Sequence, residues 1–231
     1  MSVLLELEKV SRVYGETVPV YALREVSMQV LAGDFLSIVG PSGSGKSTML
    51  GLLGCLDLPT SGIIRIGGTD VVALDDAARS VLRGRSIGFV FQQFHLIPHL
   101  TAQGNVETAL LYRGLKASER RERARFALEE VGLGPRADHR PVQMSGGEQQ
   151  RVAIARAIVT EPLIVLADEP TGALDSKNAA NVMEIFKDLQ SPQRAVVIVT
   201  HDPGVANSAH RKVSMRDGEI VADERLHLVS L

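Results

Sequence analysis

The residues from Gly40 to Thr48 read GPSGSGKST, and they constrain the fold more than any other stretch of the chain. They fit G-x-x-x-x-G-K-[ST], with Gly40, Gly45, Lys46 and Ser47 at the fixed positions. An apolar run, Phe35 to Val39, precedes them, and a helix-like stretch, Thr48 to Leu53, follows. Strand, glycine loop and helix are the context such a motif needs. The glycines let the backbone bend until successive N–H groups point at one phosphate, and the helix N-terminus adds partial positive charge. Pro41, Ser42, Gly43, Ser44 and Thr48 complete the cradle. Lys46 brings a full charge to the outer phosphates, and the Ser47 hydroxyl is a ligand for Mg²⁺. A ligand-free glycine turn between strand and helix is the structural alternative. Alone, the motif implies a nucleotide without saying which.

At 231 residues the chain is long enough to bury a sizeable core as one domain. Its formal charge of −2 argues against a nucleic-acid-binding surface. Aromatic residues make up only 4% of the chain and Trp is absent, so no base-stacking platform is expected either. The single Cys55 lies among Leu52, Leu53 and Leu56; it excludes an intrachain disulfide and reads as a buried, inert thiol in a reducing compartment. The opening MSVLLELEKV carries Glu6 and Glu8 and does not read as a signal peptide. The stretch from Ser86 to Val106 lacks Asp, Glu, Lys and Arg, but it contains Gln92, Gln93, His95, Pro98, His99, Gln103 and Asn105, which rules out a membrane helix. A soluble chain is expected, with any membrane role coming through a partner.

The N-terminal third reads as strands. Val26, Met28 and Val30 alternate with polar residues, and short strands are expected at Ile63 to Ile66 and Ile87 to Phe91. The middle is helical: Ala124, Ala127, Leu128 and Val131 repeat at helical spacing until Gly132 stops them, beneath a solvated face of mixed charge from Glu119 to Arg125. In the last third, Leu163 to Ala167 and Ala195 to Val199 are continuous apolar runs, as in parallel strands covered on both faces. The helix between them, carrying Val182, Ile185, Phe186 and Leu189, suits a crossover. Asp217-Gly218 marks a hairpin. The expectation is one α/β domain over 1–231. Its nucleotide-binding core, about 1–93 and 159–231, includes a β-subdomain, and a helical insertion spans about 94–158.

The run Leu163 to Ala167 delivers two adjacent carboxylates, Asp168 and Glu169, to the end of a strand. In an open parallel sheet that end lies beside the glycine loop, where Asp168 would hold Mg²⁺ and Glu169 would orient and polarise water. An ordinary acidic strand-to-loop pair is the alternative. Met144 to Arg151 reads MSGGEQQR. Ser145 and Glu148 form a capping box, so a helix starts there with its N-terminal amides uncovered by Gly146 and Gly147, as a second anion site.

Together these motifs resemble the ATP-binding cassette (ABC) ATPases over nearly the whole chain. GPSGSGKST matches the family's P-loop, Met144 to Glu148 its LSGGQ signature, LIVLADE its Walker B stretch, and Ala173-Leu174-Asp175 its D-loop. Gln92 after Val90-Phe91 matches the Q-loop glutamine, His201 after Val199-Thr200 the switch histidine, and Tyr14 an aromatic that stacks on adenine. The fold implied is a P-loop NTPase (RecA-like) core with a mainly parallel sheet, an N-terminal antiparallel β-subdomain and an inserted helical subdomain. The chain departs from the family pattern in three places: Met144 replaces Leu, Glu148 replaces Gln, and Gln103-Gly104-Asn105 stands where LEN is usual. Glu148 places a negative charge near the γ-phosphate or serves as a cap; the sequence leaves both open.

The resemblance implies ATP and Mg²⁺ as ligands and a head-to-tail homodimer around shared ATP sites. Lys46, Glu169, His201 and Gln92 would act catalytically, with Gln92, Ser47 and Asp168 at the metal. Ser145, Gly146, Gly147 and Asp175 would reach the nucleotide of the opposite copy. The segments IGFVFQQFHLIPHLTAQGNVE, LLYRG and GALDS are similar to the branch containing lipoprotein-release and macrolide-export ATPases. That branch implies a membrane permease as partner, no nucleic acid, and a cytoplasmic place on the inner face of the cell membrane. Rival readings are a soluble ABC protein acting on a non-membrane partner, a non-transporting regulator of a membrane protein, and a small-molecule P-loop kinase. The kinase leaves Ser145-Gly146-Gly147 and His201 without a role.

Overall fold

The computed structural model describes residues 2–15 and 17–226. In chain order come β1 (Val3–Tyr14), β2 (Val20–Leu31), β3 (Phe35–Val39), α1 (Lys46–Leu53), β4 (Ser61–Ile66), β5 (Thr69–Asp70), α2 (Asp76–Ser86) and β6 (Ile87–Val90). Three helices follow with no strand between them: α3 (Ala102–Glu107), α4 (Ala117–Glu130) and α5 (Gly146–Ile158). The chain continues with β7 (Ile164–Asp168), α6 (Ser176–Leu189), β8 (Ala195–Val199), α7 (Pro203–Asn207), β9 (Arg211–Arg216) and β10 (Glu219–Arg225).

The strands form two sheets. One is four-stranded and antiparallel, in the order β2-β1-β4-β5; the other is six-stranded, in the order β10-β9-β3-β8-β7-β6. Within the second sheet β9, β3, β8, β7 and β6 run parallel, and only β10 is antiparallel. The apolar runs explain this arrangement. Along β3, β7 and β8 alternate side chains enter different cores, because successive residues of a strand point to opposite faces. Leu36, Ile38, Ile164, Leu166, Val197 and Val199 join α1 and the antiparallel sheet in one cluster. Phe35, Val165, Ala167, Val196 and Ile198 join the helices α3 to α6 in the other.

Local signals set the helix ends. Ser145 caps α5 through a complete capping box with Glu148, and Gly132, at φ 71°, stops the turn after α4. Asp217 and Gly218, both at positive φ, close the β9–β10 hairpin with Arg216 opposite Glu219. The hairpin runs longer than its apolar pattern, because Arg211 on β9 pairs with Asp223 on β10 at 2.6 Å and with the buried Asp34 at 2.9 Å. The uncharged stretch from Ser86 to Val106 becomes β6, a loop and α3, and no described helix is long and apolar enough to cross a membrane.

Phe186 is fully buried on α6 within the helical-side core. Phe186→Ala is expected to lower unfolding stability by about 3–5 kcal/mol, measured by urea denaturation followed by circular dichroism.

Candidate active site

Because β3, β8, β7 and β6 are consecutive neighbours, the loops leaving their C-terminal ends form a row. That row holds Gly40–Thr48, Thr200-His201, Asp168-Glu169 and Gln92.

The glycine loop is braced from below. A Cβ on Gly40 would collide with the Met215 carbonyl, and one on Gly45 with the Ala22 carbonyl. Gly218 N–H donates to Ser44 O at 3.2 Å. Gly45, at φ 98°, is the N-cap of α1, in a left-handed conformation suited to glycine. Lys46 arches back so that Nζ donates to Gly40 O at 2.8 Å and Pro41 O at 2.9 Å. Ser44 Oγ is buried and has no hydrogen-bond partner among the described residues. An unpaired hydroxyl within a glycine cradle fits a loop built around an anion. For a divalent metal the candidate donors are oxygens: the Asp168 carboxylate, which feels the charge of Lys46, and the hydroxyl of Ser47, the next residue. Mg²⁺ takes few protein ligands beside phosphate oxygens, so these residues fit it without a carboxylate cage.

Asp168 ends β7 half-buried. Burial, then the neighbouring Glu169, push its carboxyl above the usual range, and Lys46 opposes them. Glu169 adopts φ 44°, a left-handed conformation costing about 1–2 kcal/mol for a residue with a Cβ. That backbone turns its carboxylate across to the end of β8. Oε1 accepts from His201 N–H at 3.0 Å and lies 2.6 Å from His201 Nδ1, and Oε2 accepts from Thr200 Oγ1 at 3.2 Å. The His201 ring is exposed, and the hydrogen bond to Glu169 raises its pKa above the ordinary value. Gln92 meets the same row from β6: a Cβ on Gly172 would stand 2.8 Å from Gln92 Nε2.

Ser145, Gly146 and Gly147 lie elsewhere. Gly146 faces Leu174 and Phe94, and Gly147 packs so closely on Asn178 that a Cβ would clash. The glycine loop's neighbours, Ala22, Leu23, Met215 and Gly218, are a disjoint set. Within one chain the glycine loop and the Ser145–Gly147 segment therefore have no neighbours in common. Asp175 caps α6, accepting from Asn178 N at 2.9 Å and Nδ2 at 2.6 Å. The structure shows Glu148 completing the cap of α5. Its carboxylate turns back to Ser145 N at 2.8 Å and meets Arg136 Nε at 3.4 Å. The Ser145 backbone bond, first among several causes, holds its pKa below the usual carboxylate range.

Tyr14 donates from its hydroxyl to Asp57 at 2.9 Å, and its ring carries the Arg12 guanidinium on one face, 4.5 Å from the centroid. At most the other face is left for a base. Cys55 is buried, and burial pushes its thiol up to about 11.

Residues 23–172 match the ABC transporter family. The chain belongs to that family. This ABC chain is 51% identical over 225 residues to the macrolide export ATP-binding/permease protein MacB 1 of Yersinia pestis bv. Antiqua (strain Antiqua), covering 96% of the chain and 34% of that protein. It thus spans about a third of the length of such relatives. It is 49% identical to the uncharacterized ABC transporter ATP-binding protein YvrO of Bacillus subtilis (strain 168), covering 96% of the chain and 97% of the relative. Among solved structures, a dimeric post-hydrolysis state of the ATP-binding cassette MJ0796 bound to ADP and Pi superimposes with TM-score 0.87 at 47% identity, covering 96% of this chain and 99% of that one.

Three polar residues at this ABC site escaped sequence reasoning. Thr200, fully buried, grips Glu169 and accepts from Asp202 N at 3.0 Å. Gln150, fully buried, donates to Pro170 O at 2.7 Å. Arg156 donates to the carbonyls of Phe94 and His95. The only signal available was a polar residue inside an apolar helical stretch or beside a recognised motif.

The His201–Glu169 contact predicts a titration. The imidazolium is favoured in the fold, so its stabilising effect is present below the ordinary His pKa and fades as pH rises through the raised one. By proton NMR the His201 midpoint should lie above ~6.5, and Glu169→Gln should bring it down.

Proposed function

We propose that this chain is the ATP-hydrolysing subunit of an ABC transporter, working as a homodimer that drives a membrane permease of the export or mechanotransmission type. The observation that carries the chemistry is the row of loops on consecutive parallel strand ends, where the Glu169 carboxylate is held by Thr200 and His201. Catalysis of phosphoryl transfer is mostly positioning and charge stabilisation. Lys46 and the backbone N–H groups of Gly40 to Thr48 bind the phosphates. Ser47 and Asp168 hold Mg²⁺, with Gln92 alongside; when bound, the ion neutralises charge on the outer phosphates. Each carboxylate oxygen accepts about two hydrogen bonds, so Oε2 of Glu169, engaged among the described residues by Thr200 alone, keeps one position for the attacking water and takes its proton. His201 is the group beside Glu169 that reaches the γ-phosphate. Tyr14 receives adenine on its free face.

The disjoint surroundings of the glycine loop and of Ser145-Gly146-Gly147 support a shared site in which one copy supplies the P-loop and its partner supplies Ser145, Gly146, Gly147 and Asp175. A two-fold dimer satisfies both copies at once, and the dimeric relative supports that arrangement. The helical segment of about 94–158 carries Ser145 at one end and follows Gln92 at the other, which suits it to transmit closure. Relatives that join ATP-binding and permease parts in one protein support a permease partner, and with it a peripheral position on the cytoplasmic face of the cell membrane.

Glu169→Gln is expected to lower MgATP turnover by about 100-fold or more while nucleotide binding persists, read by phosphate release beside a fluorescent-nucleotide titration. Turnover at the wild-type rate would remove Glu169 from its role. In the Glu169→Gln background MgATP should accumulate a dimer on light scattering, and adding Ser145→Arg should abolish it; equal dimerisation of the two proteins would refute the shared site. Detergent-solubilised membranes should yield a permease with the Glu169→Gln protein in stoichiometric amount.

A further inference from the structure

Arg156, itself half-buried, sits on α5 among buried neighbours, Ala153, Ile154, Ala155, Ala157 and Ile158. Among the described residues it makes no ion pair with a carboxylate. Burial lowers its pKa. Its guanidinium has instead a two-pronged contact with backbone: Nη1 donates to His95 O at 2.6 Å and Nη2 to Phe94 O at 2.7 Å. Even partial desolvation of a guanidinium is costly, and two carbonyls without a carboxylate are a thin compensation.

The two accepting residues are themselves unusual. Phe94 and His95 are consecutive non-glycine residues in the left-handed region, at φ 40° and 47°. Such a pair persists only where surrounding contacts over-determine it. The His95 N–H also turns back on Gln93 O, and the His95 ring packs 5.2 Å from Phe91. The segment begins at Gln92, whose amide lies against Gly172 in the loop after Glu169. One end of this short loop therefore faces the strand-end row, and the other is pinned to the helix that Ser145 caps.

We propose that Arg156 is a positioning residue for Gln92: by fixing the carbonyls of Phe94 and His95 it sets the loop from which Gln92 reaches the site and ties that loop to α5. The alternative is a packing role, in which Arg156 merely anchors helix to sheet. A packing role affects stability without depending on whether Gln92 is present. A positioning role vanishes once Gln92 has no side chain to position. The inference rests on the proposed ATP hydrolysis, and the test separates the two.

The experiment is a double-mutant cycle on the full chain, reading steady-state MgATP hydrolysis for wild type, Gln92→Ala, Arg156→Lys and the combined variant. Lysine keeps the charge and the aliphatic stem but cannot span two carbonyls as the planar fork does. An Arg156→Met cycle runs beside it, with circular dichroism to check folding. Arg156→Lys is expected to lower kcat about tenfold with KM for MgATP changed less than about twofold. The combined variant should be no slower than Gln92→Ala alone, within about twofold. Such coupling in either cycle supports the assignment. Losses that multiply in both cycles, or wild-type kcat in both Arg156 variants, overturn it while leaving ATP hydrolysis intact. A wild-type chain without hydrolysis overturns both readings together.

Discussion

In a parallel strand covered on both faces every side chain belongs to a core, so chemistry is confined to the point where the strand leaves the sheet. The register of β3, β8, β7 and β6 makes this constraint productive. Ile38 stands beside Val199 and Ala167 beside Ile198, so the strands finish nearly level. Their four exits then place a lysine, a pair of carboxylates, a histidine and a glutamine side by side. Shifting one strand by a residue would exchange its two faces between the cores and move its exit out of line. The cores thus hold the site in register as well as holding the fold together.

α5 is the second organising element. Its first turn presents Ser145, Gly146 and Gly147, and its buried face packs among the helices and strands of one core. Two polar contacts leave that apolar surface: Gln150 to the carbonyl just after Glu169, and Arg156 to the loop just after Gln92. Apolar packing fixes how close two elements lie, while a hydrogen bond also fixes their rotation and slide. A helix pinned in this way is held in both rotation and slide against the loops it grips.

The features legible in the sequence are those written in neighbouring residues. The glycine loop, the capping box at Ser145, the acidic pair at Asp168 and the turn at Asp217-Gly218 each depend on contacts a few positions apart. The strands β3, β7 and β8 announced themselves as apolar runs because both their faces are buried. α2 did not, since only Ser86 on that helix is fully buried and no continuous apolar run marks it. Glu148 is half legible: the capping box is written in neighbouring residues, whereas the Arg136 beside its carboxylate is not. Thr200, Gln150 and Arg156 were illegible for a different reason. Their partners are 31, 20 and 62 residues distant, and nothing local marks a polar side chain as aimed across the fold. Asn105 belongs with them. It is buried, and it stitches Ile97, Leu100 and Thr101 together where the sequence showed only a departure at a helix start.

The edges of the six-stranded sheet bear on how copies of this chain meet. β10 forms one margin, and it carries Glu219, Asp223, Glu224 and Arg225 on a largely exposed strand. The other margin, β6, is four residues long and lies against α5 and α2. Charge on one border and cover on the other oppose extension of the sheet by a neighbouring chain. An open sheet, which in principle offers a template for unlimited strand addition, is closed here to growth at both ends. The two-fold dimer proposed above would instead meet at the loop-bearing rim, where an isologous contact closes on itself rather than propagating into a fibre.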